Sequence, residues 1–141
     1  MQYISLPQPF IKDFVRGYFD GDGCVFLYRS RGLTQKVILR KLSVIFTSGS
    51  RKFLEDLLAV LKKNMKLRQE KIYDSTRSFQ LRFTTKDTVE IFKFIYSGAG
   101  KSSFFERKYI IFANYFAARP SRVDAKVESI LQCLGRGHVV K

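Results

Sequence analysis

Cysteine and histidine are nearly missing from this chain of 141 residues, which has two of the first and one of the second. Cys24 and Cys133 lie too far apart to suggest a zinc motif or a disulfide framework. The lone His138 stands in a polar tail, which excludes nuclease chemistry built on histidine. Long apolar runs are missing too. No stretch approaches the roughly 18 to 20 residues needed to cross a bilayer, and Met-Gln-Tyr-Ile-Ser at the start lacks the regions of a signal peptide. A soluble, intracellular protein with no membrane partner is expected.

Negative charge is scarce. The chain has 12 acidic against 26 basic residues, a net charge of +14 and a pI near 10.0. Such an excess favours a polyanionic partner, with nucleic acid first. An anionic membrane surface fits less well, because the basic residues are spread over several elements instead of one amphipathic helix. No internal repeat is found. Apolar residues are abundant: 45% hydrophobic and 15% aromatic content argues against disorder and suits one folded domain. The main domain is expected over residues 1–119, with 120–141 a C-terminal helix and tail.

The few carboxylates are placed oddly. Phe14-Val15-Arg16-Gly17-Tyr18-Phe19-Asp20-Gly21-Asp22-Gly23 ends a helix on two acidic residues among three glycines. A helix C-terminus already carries partial negative charge and unpaired carbonyls, so Asp20 and Asp22 are repelled there unless a cation compensates them. A hard divalent cation such as Mg2+, which takes carboxylate and carbonyl oxygens and keeps waters, meets that need. A calcium loop does not fit, since Val25 falls where that loop requires glycine and Arg31 where it requires glutamate.

The first helix is expected over residues 10–21, after an extended lead-in containing Pro7 and Pro9. Ile11, Phe14, Val15 and Tyr18 form its apolar stripe, while Asp13, Gly17, Asp20 and Gly21 lie on a nearly bare second face. A glycine pair four apart allows a second helix to approach closely. The alternative is a helix packed only against its own core.

Val15 to Gly23 resembles the signature of the LAGLIDADG homing endonucleases. It matches the signature's glycine, both acidic positions and the final glycine; Arg16 departs from a usually small second position. The resemblance implies that Asp22, assisted by the Gly21 carbonyl, holds a catalytic metal, with Asp20 beside them and more often structural. It implies Mg2+ as the cofactor, Mn2+ as a substitute and Ca2+ as a support for binding without cleavage. It also implies that two copies of the signature helix pack at a two-fold axis. One signature is present, so a homodimer is expected, meeting at Asp13, Gly17, Asp20 and Gly21 and cutting a long, near-palindromic DNA site. In the family such cleavage serves the mobility of introns or inteins. A family lysine near the start of the final helix corresponds here to Glu106, leaving Lys101 and Lys108 as substitutes in the catalytic role. A polar residue that positions water falls at about Ser48.

Alternation predicts strands over residues 24–30 and 36–47, and again over 67–73 and 78–83, the second pair joined by a turn at 74–77. Helices are expected over 51–64 behind a Ser50 cap, then from a capping box at Thr84 to Asp87 as far as Tyr96. Another box at Ser103 to Glu106 opens a helix to about Ala117, and a short helix falls within 123–134. This order, αββαββα, gives an α+β fold with a four-stranded antiparallel sheet, a saddle covered by helices on one face. It is also the family's order.

On the open face, alternate strand residues would meet the edges of base pairs in double-stranded DNA. The candidates are Tyr28, Ser30, Lys41, Ser43, Lys71, Tyr73, Ser78, Gln80 and Arg82. A one-residue slip in the first or third strand would flip its whole contact set. A non-cleaving regulator, or a protein that helps an intron RNA fold, is the alternative on the same fold. A small RNA-binding module is disfavoured because the central strands lack its aromatic signature.

Overall fold

The structure, a computed structural model, describes residues 6–31, 37–100 and 104–138. Its elements are α1 (Gln8–Asp22), β1 (Gly23–Arg31), β2 (Val37–Ser48), α2 (Arg51–Asn64), β3 (Ile72–Ser75) and β4 (Ser78–Phe83). There follow α3 (Thr85–Tyr96), α4 (Glu106–Ala118), a 3-10 turn (Pro120–Arg122) and α5 (Ala125–Leu134). The four strands form one antiparallel sheet in the order β1-β2-β4-β3. This is the expected α+β architecture.

The buried strand residues Val25, Leu42, Val44, Phe46, Leu81 and Phe83 share one face, on which the helices pack. Aromatic rings fill the layer between: Phe92 lies 5.3 Å from Phe112 and 5.0 Å from Phe116, and Phe19 lies 5.8 Å from Phe112. α2 matches its predicted span. Leu54, Leu57, Leu58 and Leu61 make its buried stripe, and Ser50 Oγ accepts from the Phe53 N–H at 3.1 Å.

Several boundaries move. α1 begins at Gln8, with Pro7 before it making no side-chain cap and Pro9 in its first turn, so the lead-in is shorter than predicted; Ser5 lies outside the described residues. β1 gains a residue at each end, and β2 runs on to Ser48, while Lys36 lies outside the described residues. The largest correction concerns β3, expected from Leu67 but starting at Ile72. The buried Asp87 carboxylate accepts from the Arg68 and Gln69 N–H groups at 2.9 Å, and Gln69 Oε1 accepts from the Glu70 and Lys71 N–H groups at 3.0 Å. Side chains therefore take the donors that a strand would offer its neighbour. Asp87 is consequently no part of a capping box, and Thr84 makes no side-chain cap.

Asp74 and Ser75 belong to β3, leaving a two-residue turn in which Arg77 takes φ 59°, the left-handed region. α4 begins at Glu106 with no side-chain cap from Phe105, and Ser103 lies outside the described residues. α5 starts at Ala125, where Asp124 Oδ1 accepts from the Val127 N–H at 2.9 Å. Val127, Ile130 and Leu131 are buried in the common core. Arg16 is buried beneath α1, its Nη1 donating to the Ile95 carbonyl at 2.8 Å and Nη2 to Asp13 Oδ1 at 2.7 Å. One turn earlier, Lys12 Nζ donates to the Ser97 carbonyl at 3.2 Å.

Candidate functional site

α1 runs straight into β1, and Gly23 makes the junction possible. A Cβ there would sit 2.6 Å from a Phe19 ring carbon and 2.9 Å from the Phe19 carbonyl oxygen. Gly17 and Gly21 are different. Both are exposed, and a Cβ at either would meet nothing within 4 Å. A glycine inside a helix costs about 1 kcal/mol relative to alanine, and within one chain neither of these positions gains any packing in return. Asp13 is exposed as well, whereas Asp20 is turned inward and buried. The four residues of the expected helix contact are thus divided between surface and interior.

The helix end has a cation of its own. Lys108, from the first turn of α4, donates to the carbonyls of Phe19 and Asp20 at 2.8 Å and of Gly23 at 2.6 Å. Burial lowers its pKa. In return, Asp20 Oδ2 accepts from the Phe105 N–H at 3.0 Å, at the start of α4. The two helix ends therefore cap each other, α4 supplying positive charge where α1 is negative and α1 the reverse. Lys108→Met removes the ammonium and leaves the carbonyls without it. Counting one bond to a charged donor as decisive, it should lower stability by about 2 to 3 kcal/mol, read as a shifted urea midpoint.

Burial raises the Asp20 pKa, opposed by the Phe105 N–H and by the charges of Lys108 and Arg16. Its Oδ1 has no hydrogen-bond partner among the described residues. The fold thus favours the protonated acid. Stability from such a group is fully present below its unfolded value near 3.8 and is lost as pH rises through the higher folded value. The Tm of the wild type relative to Asp20→Asn should accordingly fall as pH rises through that window. A flat difference would show that Asp20 is not held as described.

Asp22 is exposed and makes no hydrogen bond or ion pair among the described residues. It stands beside Tyr18, whose phenol is pushed up by burial and then by the Asp22 charge. Tyr18 donates to the Thr47 carbonyl at 2.7 Å, and its hydroxyl also meets the Ser48 side chain. Ser48 Oγ in turn accepts from the Ser50 N–H at 3.0 Å. These contacts link the end of α1 to the end of β2. Glu106 is exposed on α4, and Lys101 lies outside the described residues.

No three His, Cys, Asp or Glu side chains converge among the described residues. The donors at this helix end are oxygens, with one exposed carboxylate per chain. Such a set suits Mg2+, which keeps several waters and takes further oxygens from substrate phosphates; it does not make a zinc site or a calcium cage.

The other candidates lie on the sheet. Tyr28 pairs with Lys41, Tyr73 with Gln80, and Ile45 with Arg82, which puts Tyr28, Lys41, Ser43, Tyr73, Gln80 and Arg82 on the open face. Tyr28, Lys41 and Arg82 are exposed, and Ser43, Tyr73, Ser78 and Gln80 are half-buried. Ser43 Oγ donates to the Phe83 carbonyl at 2.7 Å, so its hydroxyl is occupied. Arg82 lies over the Tyr73 ring at 4.5 Å and donates through Nε to Gln80 Oε1 at 2.9 Å. Lys71 is off the strand yet reaches the same ring at 5.0 Å. Ser30 is in β1, paired with Ile38, and its side chain lies outside the described residues. The register slips between Tyr28 and Arg29, making Arg40 the extra residue of a bulge. A concavity of about 490 Å3 opens among these groups, lined by Tyr28, Lys41, Ile45, Tyr73 and Arg82. Phe26, exposed two residues before Tyr28, was not among the candidates, although strand parity alone places it with them.

Comparison with known proteins agrees with this architecture. A family described as "LAGLIDADG-like domain" matches residues 9–95. Among solved structures, the LAGLIDADG homing endonuclease I-GzeII in complex with its DNA target aligns over 86% of this chain and 41% of its own, with a TM-score of 0.53 and 14% identity. The homing endonuclease I-TnaI aligns over 92% of this chain and 86% of its own, with a TM-score of 0.51 and 18% identity. This chain therefore spans less than half the length of the first and most of the second. No curated protein matches. The helices also leave none that is long and apolar enough to cross a membrane among the described residues.

Proposed function

Since this chain belongs to the LAGLIDADG-like domain family, we propose that it is a site-specific homing endonuclease, acting as a homodimer on double-stranded DNA with Mg2+. The observation that carries the reading is Asp22, an exposed carboxylate at the end of a helix whose glycines face open space. A second copy packed on Gly17 and Gly21 would bring two such carboxylates together across a two-fold axis. The target would then be near-palindromic.

Asp22 and the Gly21 carbonyl would hold the cation, with Mn2+ able to replace it and Ca2+ supporting binding alone. When bound, the metal supplies an activated water and stabilises the leaving oxygen of the phosphodiester. The chain's own groups do the rest. The reciprocal cap of Lys108 and Asp20 fixes the direction in which α1 presents Asp22, and Tyr18 ties that end to Ser48, the candidate for orienting water. Lys108 thereby acts as a positioning residue, and Lys101 stays a candidate for direct contact. On the open face, Lys41 and Arg82 would meet base edges, Gln80 would hold the Arg82 fork, and Lys71 would neutralise phosphates. Asp13 would lie at the rim of the helix contact.

One observation favours a second reading. Glu106 occupies the position where the resemblance implies lysine, and Lys108 is engaged with three carbonyls. That arrangement suits a non-cleaving DNA-binding regulator or a helper of intron RNA folding. The test is incubation of the protein with a library of duplexes in Mg2+, in Ca2+ and in EDTA. Double-strand cuts in Mg2+ alone are expected. Sequence-specific binding without cuts in any metal would replace cleavage by regulation.

A further inference from the structure

The open face of the sheet is chemically divided. On β4 and β3 it carries Gln80, Arg82 and Tyr73, bound to one another. On β1 it carries two large apolar groups with no such tie. Phe26 is 43% exposed and Tyr28 49% exposed, with ring centroids 6.2 Å apart. A strand residue facing water is ordinarily polar, and two adjacent aromatic rings left on the edge strand of a face that also carries Lys41 and Arg82 need an occupant. Their cross-strand partners are Ser43 and Lys41, so the rings stand among groups suited to a nucleic acid and not in a purely apolar patch.

We infer that Phe26 and Tyr28 determine specificity for thymine, by covering its 5-methyl groups in the major groove at one or two positions of each half-site. The inference rests on the proposed binding of duplex DNA by this face. The methyl is the one apolar feature that a base pair offers in that groove, and aromatic or aliphatic side chains are its usual partners. Hydrogen-bonding side chains elsewhere on the sheet would meet the polar base edges and cannot use it. The net charge of +14 and the neighbouring Lys41 favour a polyanion as occupant over an apolar protein surface.

The experiment begins with selection of binding sites by the full chain in Ca2+, from a randomised duplex pool and in parallel from a pool of RNA stem-loops. The selected duplex is then resynthesised with deoxyuridine replacing thymine, one position at a time, which removes only the methyl. Affinity should fall about fourfold at one or two thymines per half-site, the worth of one buried methyl. Phe26→Ala and Tyr28→Ala should bind thymine and uracil alike at those positions. Because both side chains are exposed, these variants should fold; the uracil series needs no variant at all. A site that binds equally well with uracil everywhere overturns the inference and leaves DNA binding intact. Enrichment of no duplex, or of RNA alone, overturns the reading on which it rests as well.

Discussion

A Gly17→Leu variant should fold at least as stably as the wild type, run as a monomer where the wild type is expected to run as a dimer, and cut no duplex. Within one chain the substitution is harmless, because a Cβ at Gly17 meets nothing within 4 Å and leucine favours the helix by nearly 1 kcal/mol. Across a close helix pair it is not. The glycines permit backbones to approach, and a two-fold axis places the added side chain in the contact twice. At about 2 kcal/mol of overpacking per copy, the dimer would weaken by roughly a thousandfold. Sedimentation over a concentration series, beside a thermal melt, separates the two effects. A dimer that survives the leucine would place the contact elsewhere and remove the reason for pairing the two Asp22 carboxylates.

Asp22→Asn should reduce cleavage in Mg2+ by at least about a hundredfold and leave the affinity for DNA in Ca2+ within a fewfold of wild type. The carboxylate is exposed and makes no hydrogen bond or ion pair among the described residues, so its loss disturbs nothing structural. Asparagine keeps the shape and one oxygen but no charge. Cutting is thus predicted to depend on a group to which folding is indifferent. Asp20→Asn would behave in the opposite sense, altering the pH dependence of stability through the cap on α4. Cleavage unchanged in Asp22→Asn would remove this carboxylate from the metal site, whatever the fate of the dimer.

The contrast between these two acids shows what could be read from the sequence. Alternation placed Leu42, Val44, Phe46, Leu81 and Phe83 on the covered face, and the hydroxyl of Ser50 at the head of α2, because both depend on local spacing. Asp20 and Asp22 are two residues apart at the end of α1, and spacing could not say that one is sealed under α4. That depends on Phe105 and Lys108, more than eighty residues away. β3 began late for the same reason. Leu67 to Lys71 leads directly into the strand residues Ile72 and Tyr73, but the Asp87 carboxylate takes two of its donors and Gln69 Oε1 two more. Lys108 carried no signal as a cap, since a lysine in the first turn of a helix is unremarkable until another helix ends beneath it.

Arg16 bears on any effort to build hybrids. It sits in the signature where a small residue is usual, yet it seals the last turn of α3 by donating to the Ile95 carbonyl, with Lys12 doing the same at Ser97. A recombinant that imports α1 from another protein would leave the last carbonyls of α3 without these two donors, and one that imports an α3 ending at another position would take the acceptor away from Arg16 Nη1. The two segments are separated by the whole sheet in sequence, but they behave as one cassette. Shuffling libraries should therefore keep crossover points outside residues 8–97, or exchange Lys12 and Arg16 together with the turn they close.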